Sequence, residues 1–188
     1  MLQGHGQFCT SPGRDNLAAQ VVRCISAAPS DTLLTPRILS NFKEQTAIRS
    51  QLVSEQCEQD FHACAQVFIC DADTYMATPL LQQELFGPAA LIVRYESEQE
   101  LIALITQFDG QLTASIHGTD DDMANAAALK EALQYKVARL IENQLPTGVE
   151  MCTSKNHGGP FPSSTDVRST SVGTHAMLRF MRPICYQP

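Results

Sequence analysis

Between Ala89 and Glu142 the chain alternates short apolar runs with amphipathic stretches, and this rhythm restricts its fold more than any other feature. Ala89-Ala90-Leu91-Ile92-Val93-Arg94-Tyr95 is short, almost wholly apolar and follows Gly87-Pro88, which reads as a buried strand. From Ser97 the pattern becomes helical. Glu100 stands three residues on in a capping-box arrangement, and Leu101, Ile102, Leu104, Ile105 and Phe108 form one apolar face that ends at Gly110. Leu112 to His117 is a second strand, Asp120 to Asp122 caps a long helix over about 123–138, and Arg139 to Glu142 is a third short strand. Strand, helix, strand, helix, strand points to crossovers onto a largely parallel sheet, hence to an α/β fold.

Upstream, Leu17, Val21, Val22 and Ile25 recur at helical spacing over about 15–27. Thr35 followed by Pro36 opens a second helix to about Glu55, with Ile38, Leu39, Phe42, Ile48 and Leu52 on its apolar side. Ala63 to Cys70 reads as a buried strand, Asp71-Ala72-Asp73 as a turn, and Leu80 to Leu85 as a short helical turn. Beyond Pro146 the chain is rich in Gly, Pro, Ser and Thr, and its last apolar segment, Ala176 to Ile184, is either a helical turn or an edge strand. Loops of that length in a compact domain are usually functional or stabilised by a partner. A chain of 188 residues predicts a single domain, 1–188, with a loop-rich segment at 146–188.

The formal net charge of -7 argues against a surface that tracks phosphates, and with it against nucleic acid as a partner. No apolar run approaches the roughly 18 residues that a membrane span requires. Seven cysteines, an odd number without framework spacing, predict reduced thiols and a cytoplasmic protein. Cys57, His62, Cys64 and Cys70 do not have the spacing of a zinc knuckle and read as core thiols, and no metal is expected. Asp120 to Asp122 reads as a helix cap rather than a metal site.

Chemistry concentrates near the start. In Gly6-Gln7-Phe8-Cys9-Thr10-Ser11-Pro12-Gly13-Arg14 a thiol lies between two turn signals and just before a helical pattern. A helix N-terminus lowers a thiol's pKa and stabilises an oxyanion on the atom it attacks, so Cys9 is a candidate nucleophile; an inert buried cysteine is the alternative. His5, just before the motif, could act as a base for the thiol, but a cysteine-histidine hydrolase is rejected as a reading.

Gly6-Gln7-Phe8-Cys9-Thr10 resembles the catalytic-cysteine motif of the aldehyde dehydrogenase superfamily. Gln83-Glu84-Leu85-Phe86-Gly87-Pro88 is similar to that superfamily's Glu-x-Phe-Gly-Pro signature and follows at the corresponding distance. Pro146-Thr147-Gly148-Val149, Gly158-Gly159-Pro160-Phe161-Pro162 and Arg168-Ser169-Thr170-Ser171-Val172-Gly173 resemble the C-terminal loops of the branch that oxidises 2-oxoglutarate semialdehyde and fatty aldehydes. The resemblance runs from about Gly4 to the end. It implies the three-layer α/β/α catalytic domain of that fold with a mostly parallel sheet, without the nucleotide-binding domain, general-base glutamate and oxyanion-holding asparagine that precede the cysteine in the family.

By the same resemblance, Cys9 attacks an aldehyde to form a thiohemiacetal, NAD or NADP accepts a hydride, and water hydrolyses the resulting thioester. Sulfur suits both steps, being nucleophilic as thiolate and a good leaving group. Glu84 would accept hydrogen bonds from the nicotinamide ribose diol, and Phe86 would lie near the nicotinamide ring, core packing being its alternative. Phe8, Phe161 and Arg168 would border the aldehyde. The Arg168 guanidinium would meet the distal carboxylate of a semialdehyde, or else order its loop by bonding Asp166. Acting alone the chain is expected to turn over little as a dehydrogenase and to self-associate as a homo-oligomer where a partner domain is lacking. A thiol esterase and a non-catalytic assembly module are the other readings.

Overall fold

The computed structural model describes residues 7–9, 20–25, 27, 32–50, 63–146 and 152–188. The chain forms two compact units, Met1–Leu104 and Ile105–Pro188.

In the first unit, β1 spans Gln7–Cys9, residues 20–25 form a helix (α1), and α2 runs over Pro36–Ser50. Thr35 opens α2 as expected, its Oγ1 accepting from the Ile38 N–H at 3.2 Å. The expected continuation to Glu55 lies outside the described residues, as does the start of the helix expected from residue 15. The expected apolar side of α2 is met in part, with Phe42 buried and Ile38 and Leu39 half-buried, but Thr46 and Arg49 are buried as well and Ile48 is 37% exposed. Hydrophobicity alone misses the inward arginine because four hydrogen bonds from its Nη1 and Nη2 let it take that position.

β2 (Gln66–Asp71) and β3 (Ala89–Arg94) pair in parallel, Gln66 opposite Ala89 through Asp71 opposite Arg94. The strand at 89–95 is thus present, whereas the one expected from Ala63 begins at Gln66. Asp71 does more than turn the chain. Its carboxylate caps α3 (Ala72–Ala77) by accepting from the Thr74 N–H at 2.7 Å, a helix that the sequence reading omits. The helical turn expected at Leu80 to Leu85 is α4, Pro79–Gln82. Two helices therefore supply the crossover that a parallel pair requires. Phe42, Val67, Phe68, Ala72, Leu81 and Ala89 are buried here.

α5 (Glu98–Gln107) buries Leu101, Leu104 and Ile105, as its apolar face predicts. Ser97 accepts from the Glu100 N–H at 3.2 Å, while the Glu100 carboxylate returns to the Glu96 N–H rather than to Ser97.

In the second unit β4 (Gln111–His117) and β5 (Val137–Glu142) form another parallel pair, Gln111 opposite Val137 and Ile116 opposite Glu142. The single long helix expected between them is two, α6 (Asp120–Asn125) and α7 (Ala127–Gln134), separated at Ala126. Thr119, not the aspartates, is the cap: its Oγ1 accepts from the Asp122 N–H, and the Asp122 carboxylate accepts from the Thr119 N–H. β5 begins at Val137 because Tyr135 and Lys136 already form a turn. Lys136 Nζ closes the C-terminal end of α5 by donating to the Thr106 and Phe108 carbonyls at 2.9 and 2.8 Å. The final apolar segment takes the helical alternative as a 3₁₀ helix over Thr174–Phe180.

Candidate active site

β1 carries Phe8 and Cys9, with Cys9 as its last residue. Their side chains lie outside the described residues, as do His5, the 10–19 segment and the turn signals around Pro12.

Glu84 and Phe86 share the loop between α4 and β3, and α2 holds both ends of that loop. At its start, Arg49 donates from Nη2 to the carbonyls of Leu80 and Gln83 at 2.9 and 3.1 Å. Its Nη1 bonds Gln45, to the carbonyl at 3.3 Å and to Oε1 at 2.9 Å. The arginine is 4% exposed, and desolvation lowers its pKa. At the loop's end, the Phe42 ring occupies the volume where Gly87 would carry a Cβ, so only glycine fits. Pro88 then gives its carbonyl to the Gln66 N–H at 2.9 Å, where β3 begins. Glu84 is exposed, and Phe86 is 60% exposed, so core packing does not account for its ring.

Phe161 and Arg168 belong to the loop-rich segment of the second unit. Although it has few secondary-structure bonds, 155–173 is closely tied. Buried Thr170 accepts from the His157 N–H at 2.7 Å and donates to the Val172 carbonyl at 2.6 Å. Ser171 binds the His157 carbonyl through both its N–H and its hydroxyl. Ser163 donates to the Pro160 carbonyl, and the Gly110 N–H to that of Phe161. Hydroxyls here do the work that a sheet ladder does elsewhere.

Phe161 precedes a cis peptide bond to Pro162 and is 78% exposed. Arg168 meets Asp166 in two contacts, Nε to Oδ1 at 2.9 Å and Nη2 to Oδ2 at 3.3 Å, the bond that the loop-ordering alternative requires. The Arg168 hydrogen bond holds the Asp166 carboxyl below the usual range, and the charge of Arg179 adds to the effect. Both arginines, with Asp166, His157, Ser163 and Ser164, line an open cleft to which Phe161 does not contribute.

Arg49, and the anchoring roles of Phe42 and Thr170, escape sequence reasoning. A lone arginine among the apolar positions of α2 is the signal that could have revealed the first; nothing in the sequence marks Thr170. Of the cysteines, Cys70 is buried in β2, Cys64 is half-buried, and Cys24, Cys152 and Cys185 are exposed and free. Cys57 and His62 are outside the described residues. Among the described residues no group of three or more His, Cys, Asp or Glu side chains could hold a metal ion, and no helix is long and apolar enough to cross a membrane.

Along 98% of its length the chain is 34% identical to alpha-ketoglutaric semialdehyde dehydrogenase 2 of Azospirillum brasilense, and 32% identical to the alpha-ketoglutaric semialdehyde dehydrogenase of Acinetobacter baylyi. It spans 38% of the length of each. Lactaldehyde dehydrogenase from Escherichia coli superposes with a TM-score of 0.70 at 16% identity, over 90% of this chain and 36% of that one. An aldehyde dehydrogenase of Mycobacterium tuberculosis, complexed with NAD+, gives 0.69 at 18% identity, over 97% of this chain and 40% of that one. At those identities the likeness is one of fold, the α/β fold expected from the strand rhythm. The model of the aldehyde dehydrogenase family matches residues 56–182, a stretch that takes in the Glu84 loop, both parallel strand pairs and the tied segment at 155–173, and the chain belongs to that family.

Proposed function

We propose that this chain contributes the nucleophile and part of the cofactor contact of an NAD(P)-dependent dehydrogenase that oxidises an aldehyde, 2-oxoglutarate semialdehyde or a fatty aldehyde, to its carboxylate. The observation that carries the reading is the similarity along 98% of the chain to two alpha-ketoglutaric semialdehyde dehydrogenases.

In this reading the Cys9 thiolate adds to the aldehyde carbon, forming a C–S bond while the carbonyl π pair moves onto oxygen. A nicotinamide nucleotide, when bound, supplies the acceptor for the hydride lost in the oxidation. Water then cleaves the thioester and returns the thiol. The residues present fit part of such a nucleotide: Glu84 offers two carboxylate oxygens to a vicinal diol, and Phe86 an exposed ring two residues away on a loop anchored at both ends.

For the substrate, the cleft beside Arg168 and Arg179 suits a carboxylate, with Arg168 exchanging Asp166 for the incoming anion. Phe8 and Phe161 are carried by the family resemblance alone as contacts of the aldehyde's apolar part, and the 78% exposure of Phe161 leaves its ring available for one. The chain spans 38% of the length of each of the two alpha-ketoglutaric semialdehyde dehydrogenases and, acting by itself, turns over little. Its localisation is cytoplasmic, in keeping with the free exposed thiols. Exposed Met177, Phe180, Met181, Ile184 and Tyr186 support self-association into a homo-oligomer.

The test is peptide-mapped alkylation by substoichiometric iodoacetamide near neutral pH, alongside formation of reduced nicotinamide from 2-oxoglutarate semialdehyde. Cys9 should react ahead of the other six cysteines, and Cys9→Ala should abolish whatever turnover the chain shows. Ester hydrolysis that ignores the nucleotide would point instead to a thiol esterase, and an unreactive Cys9 in a stable oligomer to an assembly module.

A further inference from the structure

We propose that Arg49 is a positioning residue for Glu84, acting through the Leu80 and Gln83 carbonyls to fix where the carboxylate stands; this rests on the reading of Glu84 as a nucleotide contact.

The four hydrogen bonds of the guanidinium among the described residues all end on neutral amide oxygens, two on Gln45 within α2 and two on the distant turn at Leu80 and Gln83. A buried cation without a carboxylate partner in that set is a costly way to fill space, since an apolar side chain of similar volume packs as well or better. What the guanidinium offers that a methionine does not is a rigid fork spanning two carbonyls. Those carbonyls bracket the end of α4, and the second belongs to the residue immediately before Glu84.

The other end of the loop shows the same design. Phe42 lies two turns earlier on the buried side of α2 and fills the space at Gly87. One helix face thus grips the backbone at Gln83 and at Gly87, and the residues gripped between them include exposed Glu84 and Phe86. Preorganising a loop that carries ligand contacts removes the ordering cost that binding would otherwise meet. Arg49 touches neither the carboxylate nor a ligand; it restricts the backbone from which the carboxylate projects.

The experiment is a double-mutant cycle on nucleotide affinity. Kd for NAD+ and NADP+ is measured by isothermal titration calorimetry for the unaltered chain, Glu84→Gln, Arg49→Met and the double variant, with thermal unfolding confirming that each is folded. Glu84→Gln and Arg49→Met should each weaken binding about tenfold. In the double variant the loss should stay within about twofold of the larger single loss, because Arg49 acts only through Glu84. Should Arg49→Met fail to fold, Arg49→Lys replaces it in the same cycle and should give a smaller, equally non-additive loss. Losses that multiply in the double variant, or an Arg49 variant that binds as the unaltered chain does, overturn the proposal and leave Glu84 in place. A Glu84→Gln variant with unchanged Kd removes the Glu84 reading and this proposal together.

Discussion

Phe42 and Gly87 compete for one volume: a Cβ on Gly87 would collide with Cδ2 and Cε2 of the Phe42 ring. The ring is 2% exposed and cannot swing out without opening the core of the first unit. The glycine also has φ +155°, a conformation that side chains rarely adopt. Gly87→Ala should therefore destabilise the chain by about 3 kcal/mol, from overpacking and backbone strain together. Because most of that cost is steric, it should shrink by about 1 kcal/mol when Phe42 is first shortened to leucine. Urea unfolding of the two single variants and the double variant measures the coupling.

Cys70 should be the slowest thiol among the described cysteines. Burial in β2 raises its pKa first, and the negative charge of the adjacent Asp71 second, to about 11. Thiolate is the reactive form, so alkylation at neutral pH should run at least about 100-fold behind exposed Cys152 or Cys185. Denaturant should abolish the difference. Mass spectrometry of timed iodoacetamide digests provides the comparison, and a fast Cys70 in the folded chain would place it outside the core.

What could be read in the sequence was whatever depends on local pattern. The runs at 89–95 and 112–117 are short, apolar and bounded by turn residues, and they are strands of two parallel pairs. Thr35 with Pro36 marked the start of α2 because a cap is a local arrangement. Patterning failed where a distant partner decides. Arg49 faces inward only because the Leu80 and Gln83 carbonyls meet it there, more than thirty residues on. Asp71 looked like a turn because α3, which it caps, is a single short helix with little periodicity. The Cys9 and Glu84 stretches were legible as motifs, whereas the order of the 155–173 segment was not, since it comes from individual hydroxyls rather than from any repeat.

That segment makes its own prediction. Thr170 is the shared partner of the His157 N–H and the Val172 carbonyl, and it is 6% exposed. Thr170→Val keeps the shape and removes the hydroxyl, leaving a buried N–H without its acceptor at a cost of about 1–3 kcal/mol. Thr170→Ser retains the oxygen and should lose much less. Proteolysis between His157 and Ser171 should accelerate in the valine variant while the serine variant stays close to the unaltered chain.

The Thr119 cap should make part of the stability acid-sensitive. The Thr119 N–H and hydroxyl both donate to the Asp122 carboxylate, each at 2.8 Å, and these bonds hold its pKa below the usual carboxylate value. Asp71 is lowered in the same way by the bonds from Thr74. A folded-state pKa below the unfolded one means that the unfolded chain binds protons more readily. The contribution is therefore whole above the unfolded value, about pH 4, and is lost as the pH falls through the folded value. Asp122→Asn should lower stability at neutral pH and flatten the decline below about pH 4, since an amide does not titrate. Thr119→Ala should cost about 1 kcal/mol at neutral pH, but because the backbone N–H at 119 still donates to the Asp122 carboxylate, the acid decline should flatten only in part. Thermal midpoints measured from neutral pH down to about pH 3 should therefore show Asp122→Asn converging on the unaltered chain at the acid end and Thr119→Ala converging less; curves that stay parallel would show that the box contributes nothing through its charge.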